Sequence, residues 1–157
     1  MHPRARDLIA TLELKPHPEG GFYRRMFTSE HRDAAGRSCA SAILFLLPAG
    51  EVSRWHRVDA DEVWHYHEGS PLELLIAETP DRVRREILGA ADAGAASQPQ
   101  RAVPAHVWQA ARCPGDYTLV GCTVAPAFEF SGFTLLADNA AGQREWSLLT
   151  TSYADFL

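Results

Sequence analysis

The chain is almost without lysine. Lys15 is alone beside fourteen arginines, and Asp and Glu outnumber all the basic residues by 20 to 15. With a formal charge of −5, the chain does not read as a generic nucleic-acid binder, because phosphate binding draws on clustered Lys and Arg. Cysteine is scarce as well. Cys39, Cys113 and Cys122 are an odd, widely spaced set with no CxxC pair, which argues against a disulfide framework or a zinc ribbon. They read as reduced thiols of a cytoplasmic protein. No apolar run approaches the ~20 residues of a membrane span. The opening stretch MHPRARDLIATLEL is amphipathic and lacks the continuous apolar core of a signal peptide. Internal repeats and low-complexity linkers are also missing. What remains is ordinary globular material, 46% apolar and 22% charged over 157 residues. That length fits one domain, 1–157, burying roughly 70% of its unfolded surface.

Periodicity gives the elements. Residues 4–14 predict a short helix with Leu8, Ile9 and Leu12 on one face. KPHPEGG (15–21) stops it, since two prolines and two glycines cannot continue a helix. Period-two segments follow at 22–29, 38–47, 51–58, 63–67 and 72–78, with DADE (59–62) as an acidic turn. Residues 82–89 are strand-like, 92–100 form a loop of small residues, and 101–111, 116–126 and 128–138 add three strand candidates. The tail REWSLLTTSYADFL has mixed signals with helical character. Many short strands with Gly/Pro punctuation and little helix predict an all-β sandwich or barrel. A jelly roll satisfies this strand count and offers a cavity between its sheets.

Three of the seven histidines fall in SRWHRVDADEVWHYHEG, residues 53–69. Alternation puts Arg54, His56 and Val58 on one face, and apolar Val58 makes that face the interior. An inward Arg54 and His56 then line a cavity. In the next strand Glu62, Trp64 and Tyr66 share one face, and His65 and His67 share the other, outer one. PEGGFYRR brings two arginines near, and Arg24, in phase with Phe22 and Met26, is the better pocket candidate of the two. RVRR (82–85) reads as a solvated strand face.

The spacing of this stretch resembles a known motif. Gly50, five residues, His56, then Glu62, six residues, Gly69 is similar to the first cupin motif, and Pro104-Ala-His106-Val-Trp108-Gln109 lies where the second belongs. LKPHPEGGFYRR, SAILFLL, VPAHVWQAA and YTLVGCTVAPAFEFSGF resemble the fifth cupin family, long labelled a domain of unknown function. The resemblance covers residues 7–138. It implies a double-stranded β-helix (jelly roll) after a short N-terminal helix, commonly paired as a homodimer. Metal-bearing cupins use three histidines and a glutamate. Carried over position by position, this chain keeps His56 and Glu62 but has Val58 and Gln109 at the other two places. The expectation is therefore no firmly held metal, with His56, Glu62 and Gln109 as the ligands if a divalent ion binds.

Three functions stay open on these residues. One is a metal-free isomerase or epimerase resembling the metal-free cupin epimerases. There His56 is the general base, Glu62 hydrogen-bonds it and fixes its tautomer, and Tyr66 donates a proton from across the pocket. Arg54 then stabilises an enolate or holds an anionic group. Another is a ligand-binding cupin without turnover, its small-molecule pocket lined by Trp64, Tyr66 and Arg54, with Arg24 and Gln109 as further contacts. The last is a metal-dependent oxygenase or lyase. No nucleic-acid or membrane partner is expected.

Overall fold

The computed structural model describes residues 1–91 and 96–157; the first part of the expected small-residue loop, 92–95, lies outside the described residues. Pro3–Thr11 form α1. His2 caps it, its Nδ1 accepting from the Arg4 amide at 3.2 Å, and Pro3 occupies the first turn, where its missing N–H costs nothing. The helix stops three residues short of the expectation, at Leu12, and Glu13 turns the chain with φ 53°. Leu14 then folds back beside Ala5 and Leu8.

Among the described residues twelve strands follow. They are β1 (Lys15–Pro16), β2 (Phe22–Thr28), β3 (Ser41–Pro48), β4 (Val52–Val58), β5 (Asp61–Gly69) and β6 (Leu72–Thr79). Then come β7 (Arg82–Leu88), β8 (Ser97–Gln98), β9 (Gln100–Val103), β10 (Trp108–Arg112), β11 (Tyr117–Ala125) and β12 (Phe133–Leu135). They form two sheets, ordered β1-β2-β3-β11-β5-β9 and β12-β4-β10-β6-β7-β8. This is the expected jelly roll, the chain passing to the other sheet at each step from β3 to β6 and again from β8 to β12. Four segments differ from the expectation. The strand candidate 128–138 is a tight turn at Phe130–Gly132 followed by the three-residue β12. The described part of the loop 92–100 holds β8 and the start of β9. The DADE turn is shorter, because Asp61 and Glu62 already belong to β5. Residues 101–111 are two strands in opposite sheets, broken at Pro104 and at His106, whose φ is 66°.

Between the sheets lies the main core: Phe45, Leu47, Trp64, Leu72, Leu74, Ile76, Val120 and their neighbours. Alternation explains the sorting. In β3, Phe45 and Leu47 face inward, while Leu44 and Leu46 face outward to α1. The tail builds a second apolar layer. α2 (Ala140–Glu145), α3 (Ser147–Thr151) and a final turn at 154–156 cover the outer face of the second sheet. Leu149 and Phe156 pack there on Trp55 and Trp108.

Candidate functional site

One end of the barrel interior is polar. Its cavity is lined by His17, Glu19, His56 and Glu62, by the Cys122 thiol, and by apolar walls that include Phe45, Val58 and Phe128. Tyr23 and Arg25 stand at the mouth, Tyr23 half-buried and Arg25 exposed. The volume is about 30 Å³, room for two or three waters at ~10–15 Å³ each.

His56 is fixed by backbone. Its Nδ1 lies 2.7 Å from the Arg54 carbonyl oxygen, which only accepts, so Nδ1 carries the proton and Nε2 offers a lone pair. That Nε2 lies 3.4 Å from Glu19 Oε2, and His17 Nδ1 lies 3.4 Å from the same oxygen. Both gaps exceed a formed hydrogen bond. Ser53 Oγ donates to the other oxygen, Oε1, at 2.9 Å. Burial pushes the Glu19 carboxyl up to about 8, against the Ser53 bond and the field of Arg54. Burial holds His17 down at about 4, with the field of His56 acting in the same sense. His56 is lowered too, chiefly by burial. At pH 7 the contact is thus a neutral carboxyl between two neutral imidazoles rather than an ion pair.

The loop that carries Glu19 is shaped for close approach. The Arg54 amide donates to the Glu19 carbonyl at 2.8 Å, and the Arg54 guanidinium donates to the Pro18 carbonyl. Gly20 has φ 112°, and a Cβ there would sit 2.1 Å from the Val52 carbonyl oxygen. Only glycine lets the loop lie on β4 in this way.

Glu62 is not hydrogen-bonded to His56. β4 and β5 are consecutive in the chain but lie in opposite sheets. Glu62 Oε2 instead accepts from Gln109 Nε2 at 2.6 Å, and Gln109 Oε1 accepts from the Trp64 indole at 2.9 Å. Burial, reinforced by the field of Glu19, raises the Glu62 carboxyl. The tautomer of His56 is therefore set by Arg54 O, and the carboxyl facing it is Glu19.

Five expected pocket residues are not on the cavity wall; Gln109 is one, engaged by Glu62 and Trp64. Arg54 leaves the His56 face because β4 bulges: Gln109 pairs with His56 but Ala111 with Ser53, three β4 residues against two of β10. Ser53 thereby shares the inner face with His56. Tyr66 is four residues along β5 from Glu62, roughly 13 Å at ~3.3 Å per residue, and its hydroxyl donates to the Gly69 carbonyl at 2.6 Å. Trp64 lies between, buried in the main core beside Phe45 and absent from the cavity wall. Arg24 points outward and pairs with Glu13 at 2.8 Å; the inward arginine of β2 is Arg25. His65 lies on the outer face, accepting from Gln100 and donating to Thr123, and His67 is exposed there beside Gly121.

His17 and Glu19 were not expected at the site, since two prolines and two glycines around them read as turn chemistry. The signal available was the His and Glu themselves, two residues apart, with the His17 ring accepting from the Glu19 amide at 3.3 Å.

The four positions that hold metal in metal-bearing cupins do not fit an ion here. Val58 has no lone pair, and both ends of the Gln109 amide are engaged, its nitrogen as a donor toward Glu62. Among the described residues, no group of three or more His, Cys, Asp or Glu side chains is disposed to hold one.

Residues 6–136 match the family described as Cupin superfamily (DUF985). Protein SO0799 from Shewanella oneidensis is 35% identical over 97% of this chain and 96% of its own, with TM-score 0.87. A hypothetical protein from Leishmania major is 30% identical over 83% and 85% of the two chains, TM-score 0.74. Bacillus subtilis oxalate decarboxylase shares the fold alone, at 13% identity and TM-score 0.61, over 78% of this chain and 30% of that one. No curated protein matches. Motif spacing, sheet order and family match agree, and the chain belongs to the DUF985 family of the cupin superfamily.

Proposed function

We propose that the cavity is a small-molecule site for proton transfer, an isomerase-type reaction in which His56 is the base and Glu19 the acid. The observation that carries this reading is the contact of His56 Nε2 and His17 Nδ1 with one Glu19 oxygen at 3.4 Å each, inside the cavity. A base needs a free lone pair aimed at the ligand, and Nε2 has one because Nδ1 is held by Arg54 O. An acid at neutral pH needs a raised carboxyl pKa, which burial of Glu19 provides.

The step is balanced without any further reactant. His56 Nε2 removes a proton from a carbon next to a carbonyl, the C–H pair forms the C=C bond, and Glu19 gives its proton to the carbonyl oxygen. Where that carbon carries a hydroxyl, Glu19, now a carboxylate, takes the hydroxyl proton as the O–H pair forms the new C=O, the C=C pair takes the proton from His56 at the former carbonyl carbon, and both residues are restored. His17 fixes the residue from a second direction in the chain, its Nδ1 3.4 Å from Oε2 and accepting from the Glu19 amide at 3.3 Å. The gaps around Glu19 Oε2 are of the kind that tighten when a ligand enters.

Size limits the substrate. Ligand pockets for larger molecules run ~300–1,000 Å³, so a cavity of about 30 Å³ receives only a compact reacting head, with any remainder outside the mouth.

The test is solvent-deuterium incorporation, followed by NMR, into a panel of small aldoses, ketoses, keto acids and their phosphate esters. Incorporation that falls by two orders of magnitude or more, on the scale of a lost general base (~10²–10⁴-fold), in both His56→Ala and Glu19→Gln supports the reading. Absence of exchange across the panel, with some member still raising the melting temperature and recovered unchanged, replaces it with ligand binding without turnover.

A further inference from the structure

The mouth of the cavity opens beside a second feature. Glu13, Lys15, Tyr23, Arg24 and Arg25 line an open groove of about 640 Å³. Tyr23 and Arg25 belong to both walls, so groove and cavity adjoin at these two side chains. The geometry follows from strand pairing. Lys15 lies directly opposite Tyr23 in the β1–β2 pair, which places the two side chains on one face, and Arg25 follows Tyr23 by two residues on that same face.

The charges do not cancel within the groove. Of its three cations, Arg24 is neutralised by Glu13 at 2.8 Å and also donates to the Leu12 carbonyl at 3.1 Å. That is the groove's one ion pair among the described residues. Arg25 reaches only the Thr28 hydroxyl and the Phe128 carbonyl, each at 3.4 Å, with its guanidinium 5.7 Å from the Phe128 ring centroid. These are long contacts that a better acceptor displaces. Among the described residues Lys15 and Arg25 thus have no ion-pair partner and leave two positive charges in the groove, on a chain whose formal charge is −5.

We propose that this groove is a phosphate-binding subsite formed by Lys15, Arg25 and the Tyr23 hydroxyl. The substrate it selects is a small phosphomonoester whose uncharged head enters the His56–Glu19 cavity. A phosphomonoester carries about −1.5 to −2 charges near pH 7, which matches the two free cations, whereas a single carboxylate leaves one of them unpaired. An ammonium, a guanidinium fork and a phenol hydroxyl supply donors from several directions to a tetrahedral acceptor. The subsite stands on the groove alone. The position of the head rests on the acid–base reading.

Glycerol 3-phosphate tests the subsite apart from chemistry, because it has no carbon next to a carbonyl to deprotonate. Calorimetric titration is expected to show it binding where glycerol does not, with affinity falling as NaCl is added. Lys15→Met and Arg25→Met are each expected to weaken it tenfold or more, and Glu19→Gln to leave it within twofold. No binding at 10 mM probe, taken as about the upper useful limit for a subsite of this kind, overturns the proposal, as does binding indifferent to both cation variants. The two readings fail separately. Binding that needs Lys15, with no deuterium exchange into any phosphate ester, keeps the subsite and ends the acid–base reading. Exchange into ketoses that is equally fast with and without a phosphate does the reverse.

Discussion

Glu19 decides the pH behaviour of the fold. Its carboxyl keeps a proton up to about pH 8 in the folded state, against an ordinary value near 4.5, so its contribution to stability is full below 4.5 and lost as pH rises through 8. His17 works the other way. Held at about 4, it contributes fully above its ordinary 6.5 and loses that as pH falls through 4. Glu62 is shifted in the sense of Glu19, and His56 in the sense of His17. The two kinds oppose each other between 4.5 and 6.5, and above 6.5 only the carboxyls still change. Urea unfolding is therefore expected to show stability falling by about 2 kcal/mol between pH 6.5 and 8.5, with Glu19→Gln flattening the slope. A rise over that interval refutes the assignment. Gln109 matters through what it satisfies. Gln109→Leu leaves a Glu62 oxygen and the Trp64 indole N–H buried without partners. At about 1–3 kcal/mol for each orphaned group, the loss of denaturation midpoint is large, and Gln109→Glu is the comparison that keeps the shape. His56 and Glu62 were legible in the sequence because motif spacing marks them. Glu19 was not, because a carboxyl in a Pro/Gly turn is usually solvated, and nothing local says that this turn lies on a strand.

Strand phase accounts for the other differences from expectation. Strict alternation along β4 puts Arg54 beside His56, and one extra residue at the bulge exchanges Arg54 for Ser53. In β2 the phase is undisturbed at its start, but the inward set is Tyr23 and Arg25 rather than Phe22 and Arg24. Phe22 is apolar because it meets α1, together with Leu44 and Leu46, so its apolar character did not mark the barrel interior. A sheet with both faces covered makes the two phases look alike in sequence. The loop before β2 gives a prediction at this scale. Gly20→Ala and Gly36→Ala both put a Cβ on a positive φ, 112° and 83°, but Gly36 has nothing within 4 Å whereas Gly20 meets the Val52 carbonyl oxygen. Gly36→Ala is expected to cost about 1–2 kcal/mol, the left-handed penalty alone. Gly20→Ala costs more, and it lowers any activity by moving Glu19. Equal losses in the two variants mean that the loop does not depend on that close approach.

At the scale of the whole molecule the two sheets are finished differently. The second is roofed by the chain's own tail, whose Leu149 and Phe156 bury Trp55 and Trp108 completely. Each large side chain uncovered costs roughly 1.5–3 kcal/mol, and a domain has only about 5–15 kcal/mol in hand. Deletion of residues 140–157 is accordingly expected to give a protein that binds an apolar dye and melts without cooperativity. A sharp melt within a few degrees of the full chain shows that the roof is dispensable. The first sheet meets α1 at one end and the His17–Glu19 loop at the cavity end. That loop contributes only the two-residue β1 to the sheets, and Glu19 reaches the interior over the barrel's rim instead of along a strand. The Glu19 carboxyl is thus carried by a part of the chain separate from the strands that wall the cavity. The codons for His17 and Glu19 alone change what the cavity holds, while the glycines that seat the loop and every residue that pairs the strands stay as they are.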